Sequence, residues 1–140
     1  PTSRARPPPT GDEEATSQLR LGEFDGVDTL SVSEAYHLLN AMEQRLTADG
    51  KQIPNNDVYV KTREYLNLFA RFKDLPAVQS VESYLEKLSD KLAPFEKAQL
   101  GTLCCDTAEE ARTLVPSLEG KFSDDQLQQV LDDISKLRDF

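Results

Sequence analysis

Helix-start signals dominate the sequence from residue 31 onward. Three times a short polar residue stands three positions before a Glu or a Gln, at Ser31–Glu34, Asp106–Glu109 and Ser123–Gln126. In such a capping box the first side chain accepts a hydrogen bond from a free backbone amide, and the second reaches back to the cap. Because apolar residues follow each signal at three- and four-residue steps, the sequence predicts an all-α fold, a compact multi-helix bundle.

Capping residues, prolines and glycines set the expected helix bounds. The predicted helices run from about 31 to 50, 56 to 72, 74 to 92, 94 to 100, 106 to 115 and 123 to 137. On the second helix, one face is expected to hold Val58, Thr62, Tyr65, Leu66, Phe69 and Phe72. On the last helix, Leu131 and Ile134 are expected to face the core.

The amino-terminal segment lacks helical spacing. Residues 1–17 hold the run Pro7–Pro9 and no large apolar side chain, so we expect a disordered tail. Residues 18–22 alternate as a strand does, with Leu19 and Leu21 on one side. Nothing else in the chain resembles a strand, which leaves two alternatives. Either this segment pairs with a sheet of another chain, or it packs as coil on the helices.

The charge of the chain restricts its partners. The 140 residues carry a net charge of −9, although Arg4 and Arg6 lie in residues 1–11, which hold no acid. Nucleic-acid binders neutralise phosphates with Lys and Arg, and anionic membranes attract basic segments. The composition therefore argues against a stand-alone nucleic-acid binder and against membrane association. No apolar run approaches the roughly 18 residues that suggest a membrane span.

Residues with catalytic potential are few. His37 has no Ser or Cys nucleophile near it in a recognisable pattern, so we expect a solvated or interface histidine. Acids follow Cys104 and Cys105 and disfavour the thiolate, so we expect buried structural cysteines. The chain also lacks a phosphate-binding loop, a nucleophile elbow and zinc ligands at suitable spacing. We therefore expect no enzyme activity, no cofactor and no metal site.

A small group of basic residues surrounds the second predicted helix. Arg63, Arg71 and Lys73 could touch phosphates. Acids such as Glu64 and Asp74 stand close to them in sequence. Pairing with these acids at the surface is the favoured interpretation.

Several long segments carry a resemblance to a known family. The segments are Phe69–Asp74, Phe95–Leu118 and Asp124–Leu137, with Leu19–Phe24 and Leu30–Ala35 upstream. They closely resemble the fourth-subunit family of eukaryotic RNA polymerase II, in a fungal-looking form. The likeness covers roughly Ala15 to the end of the chain.

The resemblance implies a non-catalytic stalk subunit that pairs with the seventh subunit of RNA polymerase II in a heterodimer. It also implies roles in transcription initiation and in coupling to RNA processing. Nucleic-acid contact would come mainly through the partner. The expected location is the nucleus, with shuttling to the cytoplasm left open.

The resemblance further implies a division of the chain. We expect a disordered tail over residues 1–17, and a partner-docking strand and first helix over residues 18–50. Residues 51–140 would form a helical domain that resembles the carboxy-terminal domain of helicases and RNase D, the HRDC-like fold.

The expected partner-binding surface joins the strand to the apolar side of the first helix. Its residues are Leu19, Leu21, Phe24, Val32, Ala35, Tyr36, Leu39 and Met42. The first helix spreads its apolar side chains too widely for one contact within the chain. Two other functions stay open: the equivalent stalk subunit of another nuclear RNA polymerase, and a free nucleic-acid-binding helical domain.

Overall fold

A computed structural model describes residue 11 and residues 13–138. Most of the predicted disordered tail, residues 1–10 and 12, lies outside the described residues. The described part is mostly helical, as predicted, with one small sheet in addition. Its elements are β1 (Glu14–Ala15), β2 (Leu19–Arg20), α1 (Val32–Ala48), α2 (Asp57–Phe69), α3 (Leu75–Glu86), α4 (Pro94–Leu103), α5 (Ala108–Leu114), α6 (Asp124–Lys136), and 3-10 turns at Gly22–Phe24 and Pro116–Leu118.

Two of the three predicted capping boxes are present. Ser31 Oγ accepts from the Glu34 amide at 3.1 Å, and Glu34 Oε1 accepts from the Ser31 amide at 3.1 Å. Ser123 opens α6 in the same way. At α5 the prediction is one residue early. Thr107 is the cap, and its hydroxyl accepts from the amide of the third residue that follows it.

Two predicted helices end earlier than their apolar spacing suggests. α2 stops at Phe69, because the backbone turns extended at Ala70. α3 stops at Glu86 and is followed by turns that still bring Leu92 into the core. In both places buried apolar residues continue beyond the helix, and their spacing alone does not reveal the change of backbone.

The amino-terminal strand has a partner inside the chain. β1 and β2 are antiparallel, with Ala15 opposite Leu19 and Glu14 opposite Arg20. The prediction that nothing else in the chain forms a strand is therefore wrong. A strand of two residues is too short to show the alternation that marks a strand in sequence.

The core lies in helices α3 to α6, which we call the body together with Phe72 before α3 and the turn at Pro116–Leu118. Side chains from each of these elements form one buried cluster, to which α5 contributes Ala108 and Ala111. Leu131 and Ile134 of α6 belong to it, as predicted. Within residues 13–138, none of the helices combines the length and the apolar character that crossing a bilayer requires.

Glu96 of α4 is a buried acid that the sequence analysis did not single out. Its carboxylate accepts from the Ala93 amide at 2.9 Å and from Ser117 Oγ at 2.7 Å, and it pairs with the Lys121 ammonium. Burying a charge without such partners costs several kcal/mol. The network therefore fixes α4 against the chain that leads into α6.

Helices α1 and α2, which we call the helical hairpin, pack on one another beside the body. Polar bonds fasten α1 to the body. Buried Ser33 accepts from the Phe72 amide at 3.0 Å, and Thr102 Oγ1 accepts from the Val32 amide at 3.1 Å. Just before α1, Thr29 donates to the Pro94 carbonyl oxygen at 2.6 Å. The first turn of α1 is therefore fixed by hydrogen bonds to backbone and side-chain groups.

Candidate subunit interface

His37, Cys104 and Cys105, the side chains with catalytic potential, lie in surroundings that are typical of residues with a structural role. His37 Nε2 is 3.1 Å from the Phe72 carbonyl oxygen, which ties α1 to the segment after α2. Burial raises the pKa of the Cys104 thiol, and burial together with Glu110 raises that of Cys105 to about 11. Thiols of this kind are weakly nucleophilic at neutral pH. Among the described residues, no three His, Cys, Asp or Glu side chains gather as metal ligands would.

Exposed apolar residues are distributed unevenly over the described part of the chain. In the body, the large exposed apolar side chains are Leu75 and Leu114. In the helical hairpin and its connection they are Leu38, Met42, Ile53, Val58, Val60, Tyr65, Leu68 and Phe69. Contiguous exposed apolar surface marks protein-protein contact sites more often than catalytic ones. We therefore place the candidate site on the hairpin and the segment before it.

On α1 the predicted partner-binding residues are partly exposed. Met42 is exposed, and Val32, Ala35 and Leu39 are half-buried. The most exposed large apolar side chain of this helix, Leu38 at 58%, was not among the predicted site residues. Its position one helical turn from Met42 was the available signal. We call Ala35, Leu38 and Met42 the α1 stripe.

Tyr36 is engaged within the chain. Its ring lies 5.4 Å from the Arg63 guanidinium carbon and 5.4 Å from Lys73 Nζ. The His37 ring meets it edge-on, with centroids 5.0 Å apart. The two cation-π contacts hold α1 against α2 and the chain that follows it, whereas the ring contact with His37 lies within α1. Tyr36 therefore positions the hairpin and is a poorer candidate for direct contact with a partner than the α1 stripe.

A polar seam joins α1 to α2. Glu43 forms an ion pair with Arg63 at 3.3 Å and accepts from the Tyr59 hydroxyl. Asn40 accepts a second hydrogen bond from Arg63. Burial and the neighbouring Glu43 carboxylate raise the pKa of Tyr59. Arg63 thus pairs across the hairpin with Glu43, and the expected surface pairing with nearby Glu64 is not what the structure contains.

The apolar face predicted on α2 is largely uncovered. Leu66 is buried, whereas Val58 is 76% exposed, Tyr65 52% and Phe69 51%. The Tyr65 and Phe69 rings contact each other, with centroids 4.7 Å apart. Only one edge of this face meets α1, because the buried side of α2 also holds the polar seam. We call Val58, Tyr65 and Phe69 the α2 stripe.

The amino-terminal segment is the third exposed apolar region. Leu19 and Leu21 are half-buried in the β1–β2 ribbon, and Phe24, which follows in the 3-10 turn, is 49% exposed. One edge of β2 pairs with β1. Its other edge lacks a strand among the described residues. A two-stranded ribbon of this length is marginally stable alone.

Comparison with known proteins identifies the family. The sequence profile described as RNA polymerase Rpb4 matches residues 29–138. The chain is 48% identical over 130 residues to DNA-directed RNA polymerase II subunit rpb4 of Schizosaccharomyces pombe, covering 91% of this chain and 94% of that protein. It is 31% identical over 135 residues to DNA-directed RNA polymerase II subunit 4 of Arabidopsis thaliana, covering 92% and 96%.

A third relative is considerably longer than this chain. RPB4 of Saccharomyces cerevisiae is 40% identical over 121 residues, which cover 86% of this chain and 46% of that protein. All three relatives are RNA polymerase II subunits by name, which confirms the resemblance seen in the sequence. The chain belongs to the RNA polymerase Rpb4 family, a family of polymerase subunits and not of free-standing enzymes.

Proposed function

We propose that this chain is a stalk subunit of RNA polymerase II, which pairs with the seventh subunit and supports initiation and the coupling of transcription to RNA processing. The observation that carries the proposal is the exposed apolar surface of the amino-terminal segment and α1. Membership of a polymerase-subunit family supplies the assembly. A subunit needs such a surface, because a protein that worked alone would gain stability by burying it.

The β1–β2 ribbon is the first contact in this proposal. Its open edge at Leu19–Arg20 extends a sheet of the seventh subunit by main-chain hydrogen bonds. Leu19, Leu21 and Phe24 fill apolar pockets of the partner and fix the register. The in-chain partner β1 makes this a two-stranded addition, where the sequence had indicated a single strand.

The α1 stripe is the second contact. Ala35, Leu38 and Met42 lie on one side of α1, with Val32 and Leu39 half-buried beside them. Since the body anchors the first turn of α1, the stripe is presented to the partner on a fixed helix. Tyr36 contributes indirectly, through its contacts with the polar seam.

Nucleic-acid contact in the proposed heterodimer resides mainly in the partner. The net charge of −9 repels a phosphate backbone over most of this chain. RNA titrations near physiological salt should therefore show weak or no binding by the chain alone. Micromolar or tighter binding would favour the free nucleic-acid-binding domain instead.

The location and the domain division follow from the same proposal. A subunit of RNA polymerase II works in the nucleus, and shuttling to the cytoplasm is a further proposal for this chain. We also propose that the HRDC-like fold comprises the body, which is narrower than residues 51–140. This boundary is supported by α2, which packs on α1 and contributes no side chain to the core cluster.

Co-expression with the seventh subunit tests the pairing. The double variant Leu19→Asp/Leu21→Asp and the variant Leu38→Asp should each weaken the complex by at least about tenfold, equal to about 1.4 kcal/mol. Leu114→Asp is the matched control, because it places the same charge at an exposed leucine of the body. Affinity is measured by titration of the purified partners.

Deletion of residues 1–25 separates docking from folding. We expect weaker pairing and nearly unchanged melting of the helical part. Loss of melting temperature with intact pairing would show that the segment packs on its own helices and is not a docking element. Recovery of the tagged chain as a dispersed lone monomer from cells would contradict the stalk proposal itself.

A further inference from the structure

Two cations stand on either side of Phe72, in the segment that joins α2 to α3. Arg71 and Lys73 are both exposed. A third cation, Arg138 after α6, is half-buried, and the charges of Arg71 and Arg138 both oppose the rise that burial causes in the Cys104 pKa. We call Arg71 and Lys73 the cationic patch.

The backbone of the patch is anchored to α1 at Phe72. Phe72 is almost completely buried, whereas Arg71 and Lys73 on either side of it are exposed. The Phe72 amide donates to Ser33 and its carbonyl oxygen lies within hydrogen-bond distance of His37. The two cations are therefore presented from a backbone that is already ordered.

The cations of the patch lack carboxylate partners within the described residues. None of the ion pairs there includes Arg71, Lys73 or Arg138. Lys73 donates to the Asn67 carbonyl oxygen and lies over the Tyr36 ring. The arginines whose side chains donate hydrogen bonds among the described residues are Arg63 and Arg112. The expected pairing of Lys73 with neighbouring Asp74 is absent from the described ion pairs. Arg71 and Lys73 therefore lack a carboxylate partner in a chain of net charge −9.

Exposed aromatic rings adjoin the patch. Phe69 stands two residues before Arg71, and its ring contacts that of Tyr65 one turn earlier on α2. Lys73 lies next to the end of α2 through its bond to Asn67. The part of the α2 stripe formed by Tyr65 and Phe69 therefore lies next to the cationic patch, and together they give a surface with an apolar part and a positive part.

We propose that this surface binds an acidic segment of a partner protein, one that carries Asp or Glu residues together with large apolar side chains. The carboxylates pair with the Arg71 guanidinium and the Lys73 ammonium, groups that form their strongest hydrogen bonds with such acceptors. The apolar side chains pack on Tyr65 and Phe69. A short acidic peptide meets only the patch, whereas a long polyanion such as RNA also meets the acidic remainder of the chain.

This proposal does not depend on pairing with the seventh subunit, because it uses neither the ribbon nor the α1 stripe. The probe is a short fluorescent peptide that alternates acidic pairs with Leu or Phe, titrated by anisotropy against the full chain, alone and co-expressed with the seventh subunit. We expect binding that weakens as salt is added, because exposed charges are screened.

Charge reversal tests the patch. Arg71→Glu/Lys73→Glu should weaken peptide binding by at least about tenfold, since like charges then face each other. The matched control Lys51→Glu/Lys91→Glu makes the same change in net charge outside the patch and should leave binding within about twofold. Both variants should keep the helical circular dichroism of the parent. The single variant Arg71→Glu leaves the contact of Lys73 with Tyr36 in place, so it should still pair with the seventh subunit while binding the peptide more weakly.

The aromatic part is tested separately. Phe69→Ser should weaken binding of the Leu- and Phe-containing peptide but not of a matched peptide with Ser at those positions. Absence of peptide binding, or an equal loss in patch and control variants, would overturn the proposal. Tighter binding of a mixed-sequence single-stranded RNA, lost in the patch variant, would also overturn it and assign the patch to phosphates.

Discussion

The body and the helical hairpin are both built from amphipathic helices, yet they bury their apolar residues to different extents. In the body, Leu100, Leu127 and Ile134 are almost completely covered by neighbouring helices of the same chain. In the hairpin, Leu38 and Val58 lie in solvent. Besides buried Leu66, the hairpin is held by hydrogen bonds and by the ion pair of Glu43 with Arg63, through the polar seam and the anchors of α1.

The contrast teaches how a subunit can be folded and incomplete at the same time. A buried core makes the body independent of its surroundings, since each buried large side chain contributes roughly 1.5–3 kcal/mol. Polar contacts fix the direction of the hairpin but contribute less net stability, because water competes for the same groups. The hairpin can therefore keep a defined shape while its apolar stripes remain available to partners.

The largest expected effect is a cavity in the body. Ile134→Ala removes a side chain that is almost completely enclosed and should lower the free energy of unfolding by about 2–5 kcal/mol. Leu38→Ala, the hairpin counterpart, should cost less than about 0.5 kcal/mol because its site is exposed. Urea unfolding followed by circular dichroism measures both. Equal losses would mean that the two regions are not distinct in packing.

The second-largest loss in the free energy of unfolding is expected when the buried acid Glu96 is removed. Glu96→Ala leaves Ser117 and the Ala93 amide without their acceptor and separates Lys121 from its partner. We expect a loss of about 3 kcal/mol in the free energy of unfolding.

The pair of half-buried Lys97 with exposed Glu86 supplies the control for that measurement. Lys97→Met should change stability far less than Glu96→Ala, because the Glu86 carboxylate that loses its partner is in solvent. A Glu96→Ala variant as stable as the parent would show that the buried network contributes nothing to the body.

The same capping box can be removed from either region. Ser123→Ala at α6 and Ser31→Ala at α1 should each cost about 1 kcal/mol of helix stability. The stability lost in Ser123→Ala should appear as a lower free energy of global unfolding. The Ser31 loss should appear chiefly as faster amide hydrogen exchange in α1, if the hairpin opens before the body. Exchange that accelerates uniformly after both changes would show one cooperative unit.

The smallest effect is a pH dependence confined to the body. Tyr84 donates to Asp133 at 2.7 Å. Burial and this bond raise the pKa of Tyr84 to about 12, and the bond lowers that of Asp133. The tyrosine contribution is therefore complete below pH 10 and lost as pH rises from 10 toward 12. The carboxylate contribution is present above the ordinary pKa of Asp, 3.8, and is lost as pH falls below it.

Replacing Tyr84 by Phe removes the tyrosine dependence and weakens the carboxylate dependence, because Gln129 and Lys136 still lower the pKa of Asp133. Unfolding free energies of parent and variant should differ most near neutral pH and converge at both extremes. Tyr65→Phe, which removes an exposed hydroxyl from the hairpin, is the control and should run parallel to the parent. A constant difference between Tyr84→Phe and parent across the whole range would rule out this linkage.

The body was largely predictable from sequence because its signals are local. The capping box at Ser123 sets where α6 begins, and the spacing of Leu127, Val130, Leu131 and Ile134 sets its buried side. Glu96 was missed because an acid on a helix normally lies in solvent. Its partners Ser117 and Lys121 are distant in sequence and meet it only in the folded chain.

The hairpin was less predictable for a physical reason. Apolar spacing reveals that a helix has a face to cover, but not whether the cover lies in the same chain. The face predicted to include Val58, Tyr65 and Phe69 exists, and most of it is in solvent because α1 meets a neighbouring side of α2. Likewise, nothing local to Arg63 indicates that its partner is Glu43 on the other helix.

The connection between α1 and α2 can accept additional residues. Residues 47–58 are all exposed, and Asn56 and Gly50 close the two helix ends without help from the body. Inserting residues there would destabilise the fold chiefly through the entropy of closing a longer loop. This cost grows by about 0.6 kcal/mol for each doubling of the loop length. The tip of the hairpin is thus a place where a fluorescent domain or a crosslinking tag can be carried while both helices and the body keep their contacts.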